Sequence, residues 1–255
     1  MTILSALATD ATITKEADTL GGGYKPVDSG IYDLQVKLAY LKPAASGALG
    51  LALEFVTSEG STIRETVYMT SGTAKGGKNY YEKNGKKAYL PGFNTANSLA
   101  QLTVGKEIGT LVPEEKVINL YDYDAQKELP TKVQMYTDLI GQTIKAGILF
   151  RIEDKNAKND AGMYVPTGEV REMNVVDKFF RSADSLTTTE ILAKALEPGF
   201  INKWAEQNNG RVDNKSKGMT GAQAGVTAGA PNVHGAANVA GAAALGAAAG
   251  VVLFS

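Results

Sequence analysis

Two stretches of alternating residues constrain what this chain can fold into. In residues 31–41, Tyr32, Leu34, Val36, Leu38 and Tyr40 fall on one side of an extended chain, and Asp33, Gln35 and Lys37 on the other. In residues 49–55, Leu49, Leu51, Leu53 and Phe55 again share a side. A period of two is the mark of a half-buried strand, not of a helix. Pro43 and the small residues up to Gly47 turn the chain between them. Ser58-Glu59-Gly60-Ser61 makes a short turn, so strand two is expected to pair with a third strand over residues 63–70. There Ile63, Val67 and Met69 take one face; Arg64, Thr66, Tyr68 and Thr70 take the other, which is polar with one ring.

The remaining pattern continues the β theme. Residues 117–123, 133–136, 143–152 and 170–176 read as strands. The stretch 143–152 is apolar on both faces in places and is expected to be central. Residues 153–162 are charged, contain Asn156 and Asn159, and read as a loop. Asn94 or Thr95 is expected to cap a short helix through Ala96, Leu99 and Leu102, with Gly105 at its end. Thr187 and Glu190 have the spacing of a capping box before Ile191. Trp204 has no basic cluster around it and is expected to anchor the core.

Residues 64–93, RETVYMTSGTAKGGKNYYEKNGKKAYLPGF after Ile63, are the chemically distinctive part. After the strand, over residues 71–93, Lys75, Lys78, Lys83, Lys86 and Lys87 face a single acid, Glu82, and Tyr80, Tyr81, Tyr89 and Phe93 are threaded among them. Five glycines break any long element. Lysines among rings on such a loop suit a flexible single strand of nucleic acid, with phosphates on the ammonium groups and bases on the rings. A second reading stays open: a solvated hairpin whose tyrosines fold onto the sheet.

Composition narrows the chemistry. The net charge of −1 leaves attraction to nucleic acid to this local cluster. The 255-residue chain has no cysteine, which excludes disulfides and thiolate ligands and fits a reducing cytoplasm. Its one histidine, His234, lies in a Gly/Ala-rich tail, so a Ser–His pair or a multi-histidine metal site in the folded part is excluded. Gly72 to Lys78 matches G-x-x-x-x-G-K, but Asn79 stands where a phosphate-binding loop needs Ser or Thr. Asp122, Asp124, Glu153 and Asp154 lack a diagnostic magnesium spacing and read as solvated strand ends. Residues 1–20 lack a basic segment and a sustained apolar run, and do not read as a signal peptide. Residues 218–255 carry no acid or base besides His234, and read as a flexible tail rather than a membrane span.

The run YMTSGTAKGGKNYYEKNGKKAYLPGFNTANSL resembles the central segment of single-stranded-DNA-binding proteins of tailed bacteriophages. The likeness extends through LPTKVQMYTDLIGQTIKAGILFRIEDK and VDKFFRSADSLTTTEIL, covering residues 28–205. It implies a mainly β fold: an OB-like Greek-key barrel with one or two short helices, an irregular arm at residues 1–27, and a disordered Gly/Ala-rich tail at residues 206–255. It implies no enzymatic activity and no cofactor or metal. The implied role is coating and protecting single-stranded DNA during phage replication and recombination, in the cytoplasm of the infected host cell and not at a membrane. By the resemblance, Arg64, Lys75, Lys78, Tyr80, Tyr81, Lys83, Lys86 and Lys87 would contact DNA; Tyr68 on the polar face of the third strand and the loop rings Tyr89 and Phe93 are added as candidates from the residue pattern itself. Many proteins of this class recruit phage or host replication or transcription partners through an acidic tail with a terminal aromatic. Here Phe254 is present, but no acid follows Asp213. The competing functions are a virion or assembly protein using the Gly/Ala-rich tail, and a magnesium-dependent nuclease.

Overall fold

The structure is a computed structural model that describes residues 25–122, 125–159 and 164–217. The expectations for residues 1–24, for Asp124 and for the tail from residue 218 lie outside these residues.

Strand β1 (Gly30–Pro43) pairs antiparallel with β2 (Leu49–Thr57), and β2 with β3 (Thr62–Tyr68). A two-stranded sheet of β4 (Tyr80–Lys83) and β5 (Lys86–Tyr89) follows, and then helix α1 (Pro91–Val104). Strands β6 (Glu114–Asp122) and β7 (Lys127–Met135) form a hairpin that joins β1 through Tyr40 and Leu41. Strand β8 (Thr143–Lys158) pairs antiparallel with β1 on one edge and with β9 (Tyr164–Phe180) on the other. The main path is therefore β3-β2-β1-β8-β9, and β8 is central, as its two-sided apolar character indicates. Two short helices, α2 (Thr188–Leu192) and α3 (Phe200–Asn208), precede β10 (Val212–Asn214). That last strand lies parallel to Phe150–Ile152 of β8, so the chain stays in the sheet beyond residue 205.

The protein is mainly β and mostly antiparallel, but a closed barrel is not found among the described residues. The ends of the path, β3 and β9, share no backbone ladder. A side chain spans the gap instead: the Glu65 carboxylate on β3 accepts a hydrogen bond from Val176 N–H on β9 at 2.8 Å. Beside this point β9 bulges, with Asp177 left out of the register against β8.

The core lies between the curled main sheet and α1. Leu34, Val36, Leu51, Phe55, Ile63, Ile144, Ile148 and Phe179 are buried from the sheet, and Ala96, Leu99, Ala100 and Leu102 from the helix. Full burial of a side chain such as Leu99 contributes about 1.5–3 kcal/mol. A second cluster gathers Leu149, Phe180 and Trp204. Trp204 is the anchor the sequence suggests, and its indole N–H donates to Asp177 at 2.7 Å. A Cβ on Gly147 would sit 2.6 Å from that indole, so glycine is required beneath it.

Three local expectations are corrected. The register of β1 shifts between Val36 and Leu38, a bulge that reverses the alternation. Beyond it Ala39, not Leu38 or Tyr40, is the fully buried residue. Helix α1 begins at Pro91, earlier than a cap at Asn94 or Thr95 would allow, because proline's fixed φ and missing N–H suit the first helical position. Residues 153–158 are strand, not loop. Their ladder with β9 carries cross-strand ion pairs, Lys155 to Glu169 at 2.9 Å and Arg171 Nε to Glu153 at 2.8 Å. The capping box at Thr187 and Glu190 is present in both directions, and Gly105 ends α1 with φ 70°.

Candidate nucleic-acid interface

The lysine- and tyrosine-rich stretch folds as a hairpin because Asn84 and Gly85 take positive φ, 53° and 72°, the two-residue turn that matches strand twist. The register pairs Tyr80 with Tyr89, Tyr81 with Ala88, Glu82 with Lys87 and Lys83 with Lys86. Alternation then sorts the side chains. Tyr80, Glu82, Lys87 and Tyr89 share one face; Tyr81, Lys83, Lys86 and Ala88 share the other.

The rings are not equivalent. Tyr80 is half-buried, with Lys78 Nζ 5.5 Å and Lys87 Nζ 4.9 Å from its ring centroid. Tyr89 is exposed but its ring lies 4.8 Å from that of Phe93, which is packed against the core from the first turn of α1. Tyr81 is 46% exposed and shares its face with two lysines. It is the ring best placed to accept a base.

One bond closes the hairpin and one close approach holds its end against the main sheet. Leu90 N–H donates to Asn79 O at 2.8 Å, closing its base. Gly92 lies so close to the end of β3 that a Cβ would come 2.3 Å from Tyr68 O. The helix start, the hairpin and Tyr68 are thereby locked together.

The preceding loop is folded on itself. Lys75 and Gly77 N–H both donate to Gly72 O, Gly76 N–H to Thr73 O, and Lys78 N–H to the Ser71 hydroxyl. These amides are engaged within the loop, so they do not form the open cradle of a nucleotide-binding loop. What the loop offers is side-chain charge. Lys75, Lys78, Lys83 and Lys86 are exposed, with no described carboxylate within ion-pair distance, whereas Lys87 Nζ is 3.7 Å from Glu82. Arg64 departs from the expected role: its Nε is 2.6 Å from Glu54 directly across on β2, which neutralises it. Tyr68, 49% exposed, lies over Gly50, whose added Cβ would be 3.3 Å from the Tyr68 ring.

Sequence reasoning missed Asn79, Tyr136 and Tyr40. Asn79 and Tyr136 line a cleft of about 330 Å³ at the foot of the hairpin. The register puts Tyr40 opposite Ala52, which is itself opposite Thr66, so Tyr40 shares the outward face of β2 and β3. Only the bulge in β1 reveals that. A second cleft of about 390 Å³ lies between the hairpin, α1 and β9, lined in part by Tyr81, Tyr89, Ser98 and Lys178.

The acids considered for magnesium are engaged separately. Asp122 accepts from Ala125 N–H, Glu153 pairs with Arg171, and Asp154 accepts from the Ser216 hydroxyl and Lys217 N–H. The Ser216 bond holds the Asp154 carboxyl below its ordinary range. Among the described residues no helix is long and apolar enough to cross a membrane.

No protein-family model matches the chain, and no curated protein matches it.

Proposed function

We propose that this chain binds single-stranded DNA with little regard to sequence, through lysine–phosphate contacts and base stacking. The observation that carries the reading is the β4–β5 hairpin. It sets exposed Tyr81 beside Lys83 and Lys86, and Gly92 fixes it next to Tyr68 on the outward face of β3. On a chain whose net charge is −1, the local excess of four positive charges over residues 75–87 supplies an attraction for a polyanion that the whole molecule does not. Rings that protrude between ammonium groups suit unstacked bases better than a duplex.

The fold order supports the finer reading of an OB-like barrel. Five strands run β3-β2-β1-β8-β9, α1 lies in sequence between β3 and β8, and Glu65 bridges the open seam. OB folds are partly open five-stranded barrels that bind oligonucleotides on the face of strands two and three. The phage resemblance adds the setting: protection of single strands during replication and recombination in an infected cell. On this reading the chain is not an enzyme.

The test is a titration of labelled oligothymidine, with and without excess unlabelled duplex. Tight binding that duplex fails to compete away supports the reading. A discrete oligomer with no affinity for the strand would favour an assembly protein, and magnesium-dependent cleavage would favour a nuclease.

A further inference from the structure

The cleft at the foot of the hairpin has apolar walls from Leu49, Met69, Phe93 and Ile108, yet is also lined by two polar side chains with no partner among the described residues. Tyr136 is only 7% exposed, and its hydroxyl makes no hydrogen bond among the described residues. Among the described residues only Ser182 Oγ is a fully enclosed side-chain polar atom without a partner, so the Tyr136 ring is buried while its hydroxyl stays accessible and free to bond a ligand that enters the cleft. Asn79, half-buried on the same lining, also makes no side-chain hydrogen bond among the described residues. Its amide has donors and an acceptor to offer. Lys78, on the rim, adds a positive charge.

We propose that this cleft takes one unstacked nucleobase of the bound strand, in a proposal that rests on the single-strand reading above. The apolar walls hold the ring, the Tyr136 hydroxyl and Asn79 amide meet its hydrogen-bonding edge, and Lys78 meets the neighbouring phosphate. The volume of about 330 Å³ admits either a purine or a pyrimidine. Lys78 and Asn79 lead directly into the hairpin at Tyr80, so a strand lying on the hairpin reaches the cleft without a break. Rings stacked on Tyr81 are read for their faces alone, whereas a base in this cleft is read at its edge. The protein then has one position of base preference within an otherwise tolerant site.

The experiment compares labelled oligomers of dT, dA and dC of equal length, titrated against the parent, Asn79→Ala, Tyr136→Phe and Gly109→Trp. Tyr136→Phe removes only an oxygen that has no partner among the described residues, so its melting temperature should match the parent's. Gly109 lines the cleft, and a Cβ there meets nothing within 4 Å, so tryptophan can fill the space without moving the backbone. The parent is expected to rank the three oligomers unequally. Asn79→Ala and Tyr136→Phe should each narrow that spread by about three- to tenfold, the worth of one hydrogen bond. Gly109→Trp should narrow it most, while the dependence on salt stays as in the parent. Equal affinity of the parent for all three oligomers would overturn the proposal. So would an unequal ranking that all three variants preserve. In both cases intact binding would leave the single-strand reading standing; absence of binding to every oligomer would remove both.

Discussion

The Glu65 carboxylate accepts a hydrogen bond from Val176 N–H at 2.8 Å, a side-chain bridge across the seam where β3 and β9 share no ladder. Burial lifts the Glu65 pKa from 4.5 to about 7, with Asp177 adding to the rise and the Val176 bond and Arg151 opposing it. The consequence for stability has a definite sign. Between these two values the folded chain holds a proton on Glu65 that the unfolded chain has released. This group therefore contributes stability that is greatest at low pH and falls as pH rises from about 4.5 to about 7. The full span is worth at most about 3 kcal/mol. Glu65→Gln keeps an acceptor for Val176 but has no charge to bury. Its melting temperature should exceed the parent's by a few degrees at pH 8 and converge with it near pH 5. Thermal melts across that range check this. A variant less stable than the parent at pH 8 would show that the charged carboxylate is the form the seam uses.

Gly92 gives a second test of how the hairpin is held. A Cβ at this position would meet Tyr68 O at 2.3 Å, with Tyr68 C and N both at 2.8 Å, and none of these is the end of a flexible side chain. Gly92→Ala must push the start of α1 away from β3, at a cost of about 1–3 kcal/mol by analogy with overpacked cores. The melting temperature should fall by several degrees. Affinity for a single strand should fall as well, because Tyr68 and the hairpin lose their fixed spacing. An unchanged melting temperature would mean that the helix start shifts freely.

What could be read in the residues, and what could not, divides along physical lines. Leu51, Leu53 and Phe55 face the core as their alternation requires, because β2 is regular throughout. Simple alternation puts Tyr40 on the wrong face because the bulge between Val36 and Leu38 inserts one residue without any mark in composition. The span 153–162 reads as a loop, although residues 153–158 are strand, because neither face of that part of β8 meets a core and no apolar alternation exists to be seen. The lysines and rings of the hairpin were visible as types and spacing. Their inequality was not: that Arg64 is neutralised by Glu54, that Tyr80 lies between two lysines, and that Phe93 props Tyr89 are all cross-strand or tertiary facts. Asn79 and Tyr136 are 57 positions apart in sequence and meet only in the folded cleft.

Salt dependence should report the exposed lysines. Four of the five, Lys75, Lys78, Lys83 and Lys86, have no described carboxylate partner, and Lys87 is shared with Glu82. At about 0.7 per phosphate contact on a single strand, log affinity should fall with log salt at a slope of about −3. Replacing Lys83 or Lys86 with alanine should lower the magnitude of that slope by about 0.7 each. Titrations at several salt concentrations measure this, and a slope near zero would remove the electrostatic part of the account.

Tyr80 and Tyr81 should behave differently although they are neighbours. Tyr81→Ala removes an exposed ring, so binding should weaken by about fivefold to a hundredfold, with the salt slope and melting temperature unchanged. Tyr80→Ala removes a ring set between two ammonium groups, and should loosen the hairpin itself. Affinity and local protection from hydrogen exchange at residues 80–89 should fall together. Equal effects of the two changes on both measurements would contradict the assignment of faces.

The central claim, that a single strand is bound on the β4–β5 hairpin, is tested most directly by removing the exposed ring and both lysines of one hairpin face at once. Tyr81, Lys83 and Lys86 replaced together by alanine leave the core and the register of the main sheet untouched. The measurement is the affinity of parent and triple variant for labelled oligothymidine at fixed salt, in the presence of excess duplex, beside a melt of each. The account predicts the same melting temperature and an affinity lower by about a hundredfold or more, from one lost stacking platform and two lost phosphate contacts. A triple variant that melts like the parent and binds the strand just as tightly would contradict it.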